Sequence, residues 1–189
     1  MKSSLYFPTS FPCIHTKRLQ LRKVEFSDVA DVHAYLSDDE VRKYMGIHAH
    51  KTIEETRKEI EWYNEIFHHQ TGIRWGISMK NDSTIIGSCG FLNISSSNVR
   101  AEIGYELHKA YWNKGIMSEV FEAIIQYGFE KMNLNRIEAL IEPENISSVK
   151  LVEKYQFVQE GLLRQYEFGA GKYDDLYMFS LLKREYEHS

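Results

Sequence analysis

The sequence predicts an α/β (α+β) fold, a mixed central β-sheet flanked by helices on both faces. Three observations carry that prediction. Strand-like runs follow one another in the middle of the chain with short polar turns between them, so neighbours pair antiparallel. Met117, Val120, Phe121, Ile124, Ile125, Gly128 and Phe129 then form an apolar stripe at helical spacing before another strand, and a strand–helix–strand unit implies a parallel crossover. Near the end, Gly169-Ala170-Gly171 joins two long strand-like runs as a hairpin.

Leu19, Leu21 and Val24 open the order as an alternating strand. Ser27 begins a helix to about Leu36, with Asp28 and Asp31 suiting the positive end of its dipole. Thr52 and Glu55 form a capping box, and Ile53, Ile60, Tyr63 and Phe67 carry a second helix to about His69. Residues 73–79 are a strand, Asn81-Asp82-Ser83 a turn, and 85–92 the next strand. In 100–107, Ala101, Ile103, Tyr105 and Leu107 share one face and Glu102, Gly104 and Glu106 the other. The striped helix starts at Gly115; 136–141 is a strand, 147–155 a helix, and 157–168 and 172–182 the last strands. The expected order is β-α-α-β-β-β-α-β-α-β-β.

The 189 residues, 43% hydrophobic and 26% charged, are those of an ordinary globular protein, and the length predicts one domain over 1–189 with a core of about 16–183. A formal charge of −4 argues against a direct nucleic-acid partner. It is unevenly spread: residues 25–65 hold eleven acids and five bases, or −6, leaving +2 for the rest. Cys13 and Cys89 fit no metal spacing and read as reduced thiols. The pairs His48/His50 and His68/His69 lack acidic or thiol partners at ligand spacing, so no metal is expected. Pro8 and Pro12 interrupt the N-terminal apolar residues, and no run reaches about 18 apolar residues. No membrane partner is expected, and the location implied is cytoplasmic.

The segment Tyr111-Trp112-Asn113-Lys114-Gly115-Ile116-Met117-Ser118 links a strand to the striped helix. A helix N-terminus presents unpaired N–H groups and partial positive charge, which suit a pyrophosphate. A plain strand-to-helix turn would look the same.

Together, these motifs resemble the GNAT superfamily of acetyl-CoA-dependent N-acetyltransferases, in the branch of the RimJ and RimL ribosomal-protein N-terminal acetyltransferases. The resemblance runs from Thr16-Lys17-Arg18-Leu19-Gln20-Leu21-Arg22 to Tyr173-Asp174-Asp175-Leu176-Tyr177. Between these lie Ile86-Gly87-Ser88-Cys89-Gly90-Phe91, Ala101-Glu102-Ile103-Gly104-Tyr105, Asn145-Ile146-Ser147-Ser148 and Glu153-Lys154-Tyr155-Gln156-Phe157. Met117 and Gln156 stand where the family usually has small residues, and Val152 where many members carry a general-acid Tyr.

The resemblance implies acetyl-CoA as co-substrate and no metal. It assigns cofactor contacts to Asn113, Lys114, Gly115, Ile116, Met117 and Ser118 at the phosphates. Leu107, His108, Asn145 and Ser148 would serve the pantetheine arm and sulfur. Attack by a neutral amine on a thioester requires a base and stabilisation of the leaving thiolate. Glu102 is the candidate base, directly or through water, and Ser148 the candidate donor to sulfur. The plainer alternatives are an exposed strand carboxylate and, for Asn145, a helix N-cap. The implied acceptor is a small polyamine-like amine or a protein N-terminal amine, a ribosomal protein's among them, with the acidic early helices bordering it. A non-catalytic acyl-CoA-binding sensor or assembly module is the alternative, and monomer or homodimer stays open.

Overall fold

The computed structural model describes residues 4–188; residues 1–3 and 189, the ends of the expected domain, lie outside it. Two strands open the order, β1 (Ile14–His15) and β2 (Leu19–Arg22), followed by helices α1 (Val29–Leu36), α2 (Asp39–Arg42) and α3 (Ile53–His68). Strands β3 (Ile73–Met79), β4 (Gly87–Ser95) and β5 (Arg100–Leu107) lead to helix α4 (Ile116–Gln126). Strand β6 (Arg136–Ile141), helix α5 (Ile146–Lys154), strands β7 (Val158–Gly169) and β8 (Lys172–Leu182), and helix α6 (Lys183–Tyr186) complete it. The eight strands form one sheet in the order β1-β2-β3-β4-β5-β6-β8-β7. Only the β5–β6 pair is parallel, as its crossover through α4 requires.

Several boundaries differ from expectation for local reasons. The strand expected over 85–92 runs over Gly87–Ser95, because Ile85 joins the core beneath α1 and α3. Val24 lies beyond β2 in that same core. A 3-10 turn at Phe26–Asp28 precedes α1, closed by the Asp28 carboxylate accepting from the Glu25 N–H at 2.8 Å. The Thr52 hydroxyl accepts from the Glu55 N–H at 3.3 Å, but Glu55 returns its carboxylate to the Lys51 N–H at 2.7 Å, one residue early for a capping box. Strand β1 and helices α2 and α6, two to four residues each, are too short to leave a periodic signal. At the last hairpin, Ala170 and Gly171 have φ of 49° and 83°, the two left-handed positions of a tight turn.

The pleat sorts the strand residues onto two unlike faces. One face, with Trp75, Phe91, Ala101, Ile103, Ile137 and Phe179, packs the stripe of α4 and Val152 of α5 into the main core. The other carries buried polar groups, among them Arg74, Ser88, Glu106 and Glu138. It is covered in part by α1 and α3 through Val32, Tyr35, Leu36, Ile60 and Tyr63. Arg74 and Glu106 form an ion pair with side chains 5% and 2% exposed. Arg74 Nε donates to Ser88 Oγ at 2.8 Å, and Ser88 and Tyr63 both donate to Glu106.

Between β5 and β6 the sheet parts. Pairing covers Arg100 with Arg136, Ala101 with Ile137 and Glu102 with Glu138, and stops there. Beyond it β5 runs on to Leu107 and β6 to Ile141 without a shared ladder, so each strand leaves one edge of its backbone open to the gap.

Candidate active site

The gap opens into a cleft of about 800 Å³ that reaches both faces of the sheet. Its walls include residues 102–107 of β5, residues 139–141 of β6, the start of α4, the start of α5, and residues of α2, α3 and β7.

On the main-core face, α4 aims its N-terminus at the cleft. Asn113 and Gly115 have φ of 59° and 68°, which swing the chain from the 3-10 turn at Lys109–Tyr111 into the helix. A Cβ on Gly115 would meet only Arg18 at 3.8 Å, so glycine is needed there for its dihedral rather than for space. The first intrahelical bond runs from the Glu119 N–H to Gly115 O at 3.3 Å, and Gly115 provides no side-chain cap. The N–H groups of Ile116, Met117 and Ser118 therefore precede the ladder and suit an anion. The Lys154 ammonium, 3.1 Å from Ser118 Oγ, adds positive charge beside them.

Arg18 holds this turn in place, a role the sequence reading missed. Its guanidinium donates to Lys114 O and Gly115 O at 3.0 Å each and to Glu119 at 2.6 Å. Thr16 Oγ1 and the Arg18 N–H donate to the same Glu119 carboxylate at 2.6 and 2.7 Å. These partners lower the Glu119 pKa against the opposing effect of burial. The signal in the sequence was Arg18 itself, inside the run from Thr16 to Arg22 but about a hundred residues from its partners.

Asn145 caps α5, its Oδ1 accepting from the Ser148 N–H at 3.2 Å, and both residues line the cleft. The plain N-cap role of Asn145 is thus realised in the fold. Val152, where the resemblance leaves no tyrosine, is fully buried in the core. Tyr105 projects from β5 beside Ser148 and packs edge-on against Phe121 of α4, ring centroids 5.1 Å apart.

On the polar face, Glu102 lines the cleft and accepts from Asn93 Nδ2 at 2.8 Å. Asn93 reaches it from the bulge in β4, where its φ is 48°. Burial pushes the Glu102 carboxyl above the ordinary range, with the Asn93 hydrogen bond opposing and the charge of Glu138 adding to the rise. Glu59 is raised as well, by burial first and then by Glu106. Trp62 and Tyr44 supply aromatic wall, and Tyr166 and Glu167 enter from β7. Gly169 closes against the loop after α2 so tightly that a Cβ there would lie 1.9 Å from Gly46 O. The last hairpin and that loop thus roof this end of the cleft.

The cleft gathers Glu102, Leu107, Asn113, Gly115, Ile116, Met117, Ser118, Asn145 and Ser148, but not His108 or Lys114. The His108 N–H donates to Ile86 O at 2.8 Å, and its Nδ1 accepts from the Ala110 N–H at 3.1 Å. Leu107 O is taken by the Trp112 indole N–H at 2.7 Å. Lys114 offers its carbonyl to Arg18, and its ammonium stands 5.4 Å from the Tyr111 ring centroid.

Of the eleven acids over 25–65, Glu40 and Glu59 line the cleft. Asp28 and Asp38 are held by Arg22 and Lys109 at 2.8 Å each, Asp31 accepts from the Ile85 N–H, and Glu55 closes the start of α3. Three further carboxylates in the walls, Glu102, Glu106 and Glu167, come from outside that run. Among the described residues no three metal-ligand side chains are grouped to hold an ion, and no helix is long and apolar enough to cross a membrane.

Residues 18–158 match the family model described as an acetyltransferase (GNAT) domain. An uncharacterized N-acetyltransferase, p20, of Bacillus licheniformis is 46% identical over 173 residues, covering 92% of this chain and 97% of its own. The crystal structure of a GNAT-family acetyltransferase from Bacillus anthracis superposes with a TM-score of 0.80 at 30% identity, covering 92% of this chain and all of that one. RimL, a ribosomal L7/L12 α-N-protein acetyltransferase in complex with coenzyme A, shares the fold at 22% identity with a TM-score of 0.79 over 90% of this chain and 98% of its own.

Proposed function

This chain belongs to the acetyltransferase (GNAT) family, and on that premise we propose that it carries acetyl from acetyl-CoA to a primary amine by direct attack in a ternary complex. The observation that supports this reading is a cleft passing through the sheet where β5 and β6 part. The free N–H groups of α4, Asn145 and Ser148 stand on one side, and Glu102 stands on the other. A thioester lying in the gap can then meet an amine from the opposite face.

The residues divide the work. The N–H groups of Ile116, Met117 and Ser118 hold the diphosphate, and the open edge of β5 offers backbone partners to the amides of the pantetheine arm. Glu102 takes the amine proton, directly or through water, and Ser148 Oγ donates to the departing sulfur. The acceptor is a protein N-terminal α-amine or a small polyamine-like amine. An α-amine, with a reference pKa of about 8 against about 10.4 for lysine, is the easier to deprotonate. Carboxylates and aromatic rings in the acceptor walls suit a cation in either case. RimL's own substrate, ribosomal L7/L12, makes a ribosomal-protein N-terminus a member of the panel to be tried.

Incubating the protein and acetyl-CoA with a panel of N-terminal peptides and polyamines, followed by mass spectrometry, tests the reading. One acceptor class should gain an acetyl group catalytically. Binding of acetyl-CoA with no turnover on any amine would point to a sensor instead, and no binding at millimolar acetyl-CoA would remove the reading altogether.

Arg18→Ala should raise the KM for acetyl-CoA about tenfold, since hydrogen bonds from a charged group to the turn at Lys114 and Gly115 are lost. Its effect on kcat should be small. Initial-rate kinetics with acetyl-CoA varied at saturating acceptor measures this, and an unchanged KM would show that the turn holds its shape without the arginine.

A further inference from the structure

Tyr105 presents a polar group that neither the fold nor the mechanism above uses. Its hydroxyl is buried and has no hydrogen-bond partner among the described residues. Ser148 stands beside it, close enough to favour its ionised form but outside hydrogen-bond geometry. Both residues line the cleft. A buried phenol left without a partner costs free energy that a phenylalanine would not incur. Its ring is fixed edge-on to Phe121, a fully buried residue of α4, so the hydroxyl direction is set by the core.

We infer that Tyr105 Oη is a hydrogen-bond donor to the sulfur of the reacting thioester, forming with Ser148 Oγ a two-hydroxyl cradle for the leaving thiolate. This rests on the acetyl-transfer reading and adds to it a residue that the sequence pattern placed only in the core-facing row of a strand. In the step served, the amine nitrogen bonds to the carbonyl carbon, the C–S bond breaks, and its electron pair stays on sulfur. The amine proton leaves through Glu102, and the thiolate afterwards takes a proton from water. Tyr105 shares its hydrogen throughout without giving it up. Burial pushes its phenol up to about 12, well above an ordinary thiol near 8.5, so transfer to sulfur would run uphill whereas donation of a hydrogen bond needs no transfer.

The test is Tyr105→Phe, which keeps the ring and its packing. With the acceptor found in the panel, kcat should fall about ten- to a hundredfold, the loss of one hydrogen bond to a charged group. The dissociation constant for acetyl-CoA should change less than about threefold, because the neutral thioester sulfur is a weak acceptor. A second measurement needs no turnover. The ionisation of free CoA's thiol, followed by its ultraviolet absorbance while bound to protein, should occur at lower pH on the unaltered chain than on Tyr105→Phe. Equal thiol acidities on the two proteins, or a kcat within twofold, would overturn the inference. A kcat loss matched by a loss of acetyl-CoA affinity would also overturn it, as a packing effect. Failure of the unaltered protein to acetylate any amine would instead count against the acetyl-transfer reading, with the thiol measurement still deciding the role of Tyr105.

Discussion

Glu102→Gln is expected to lower kcat/KM for the amine by about a hundred- to a thousandfold while leaving acetyl-CoA affinity unchanged, the size of loss typical when a general base is removed. Glutamine keeps the shape and still accepts from Asn93, so the packing at the β4 bulge survives and only proton acceptance is lost. The pH profile carries a second signature. Burial raises the Glu102 pKa, so the carboxylate is lost on the acid side at a higher pH than for an ordinary glutamate. Activity of the unaltered protein should therefore fall as pH drops through that raised value, and the limb should vanish in Glu102→Gln. Steady-state kinetics across pH measures both effects. A loss below fivefold with the acid limb intact would move the base elsewhere, with Glu59 the next carboxylate to replace.

Arg74→Met should be the most damaging change to stability, costing about 3–5 kcal/mol, because it leaves the almost wholly buried Glu106 carboxylate without its counter-charge. The surroundings are built around the pair. A Cβ on Gly104 would lie 2.8 Å from an Arg74 guanidinium nitrogen, so glycine leaves room for it. Ser88 and Tyr63 fill remaining positions on the Glu106 carboxylate. Without the arginine, no cation is left beside the Glu106 carboxylate. Urea unfolding at neutral pH measures the cost. Removing both partners, as Arg74→Met with Glu106→Leu, should recover most of the loss, since no charge is left buried. A single-variant cost below about 1 kcal/mol at neutral pH would contradict the account.

Particular residues show what could be read from the chain alone. β3, β5, β6 and β8 follow the expected bounds; along the first three, apolar residues on the main-core face recur with a period of two, as in Ile73, Trp75 and Ile77. The insertion of β8 between β6 and β7 left no such trace, since register between strands is chosen by partners far along the chain. Glu106 was placed on the correct face of its strand, yet nothing local said that α3 would cover that face and Arg74 neutralise it. The acidic run over 25–65 was real as composition, but Asp28, Asp31, Asp38 and Glu55 are engaged in caps, ion pairs and loop contacts, short-range geometry that a charge count does not see. Tyr105 was legible as facing the core; that its hydroxyl finds no partner there is a property of three dimensions.

The three rungs that join β5 to β6 also set where a bound molecule can tie the sheet together. Five strands lie on one side of that seam and three on the other, stitched by those rungs, the α4 crossover and side chains. A molecule lodged along the opening bridges the two parts where backbone hydrogen bonds do not. Such a molecule finds its partners only on the folded sheet, so its affinity and the stability it adds are linked by mass action.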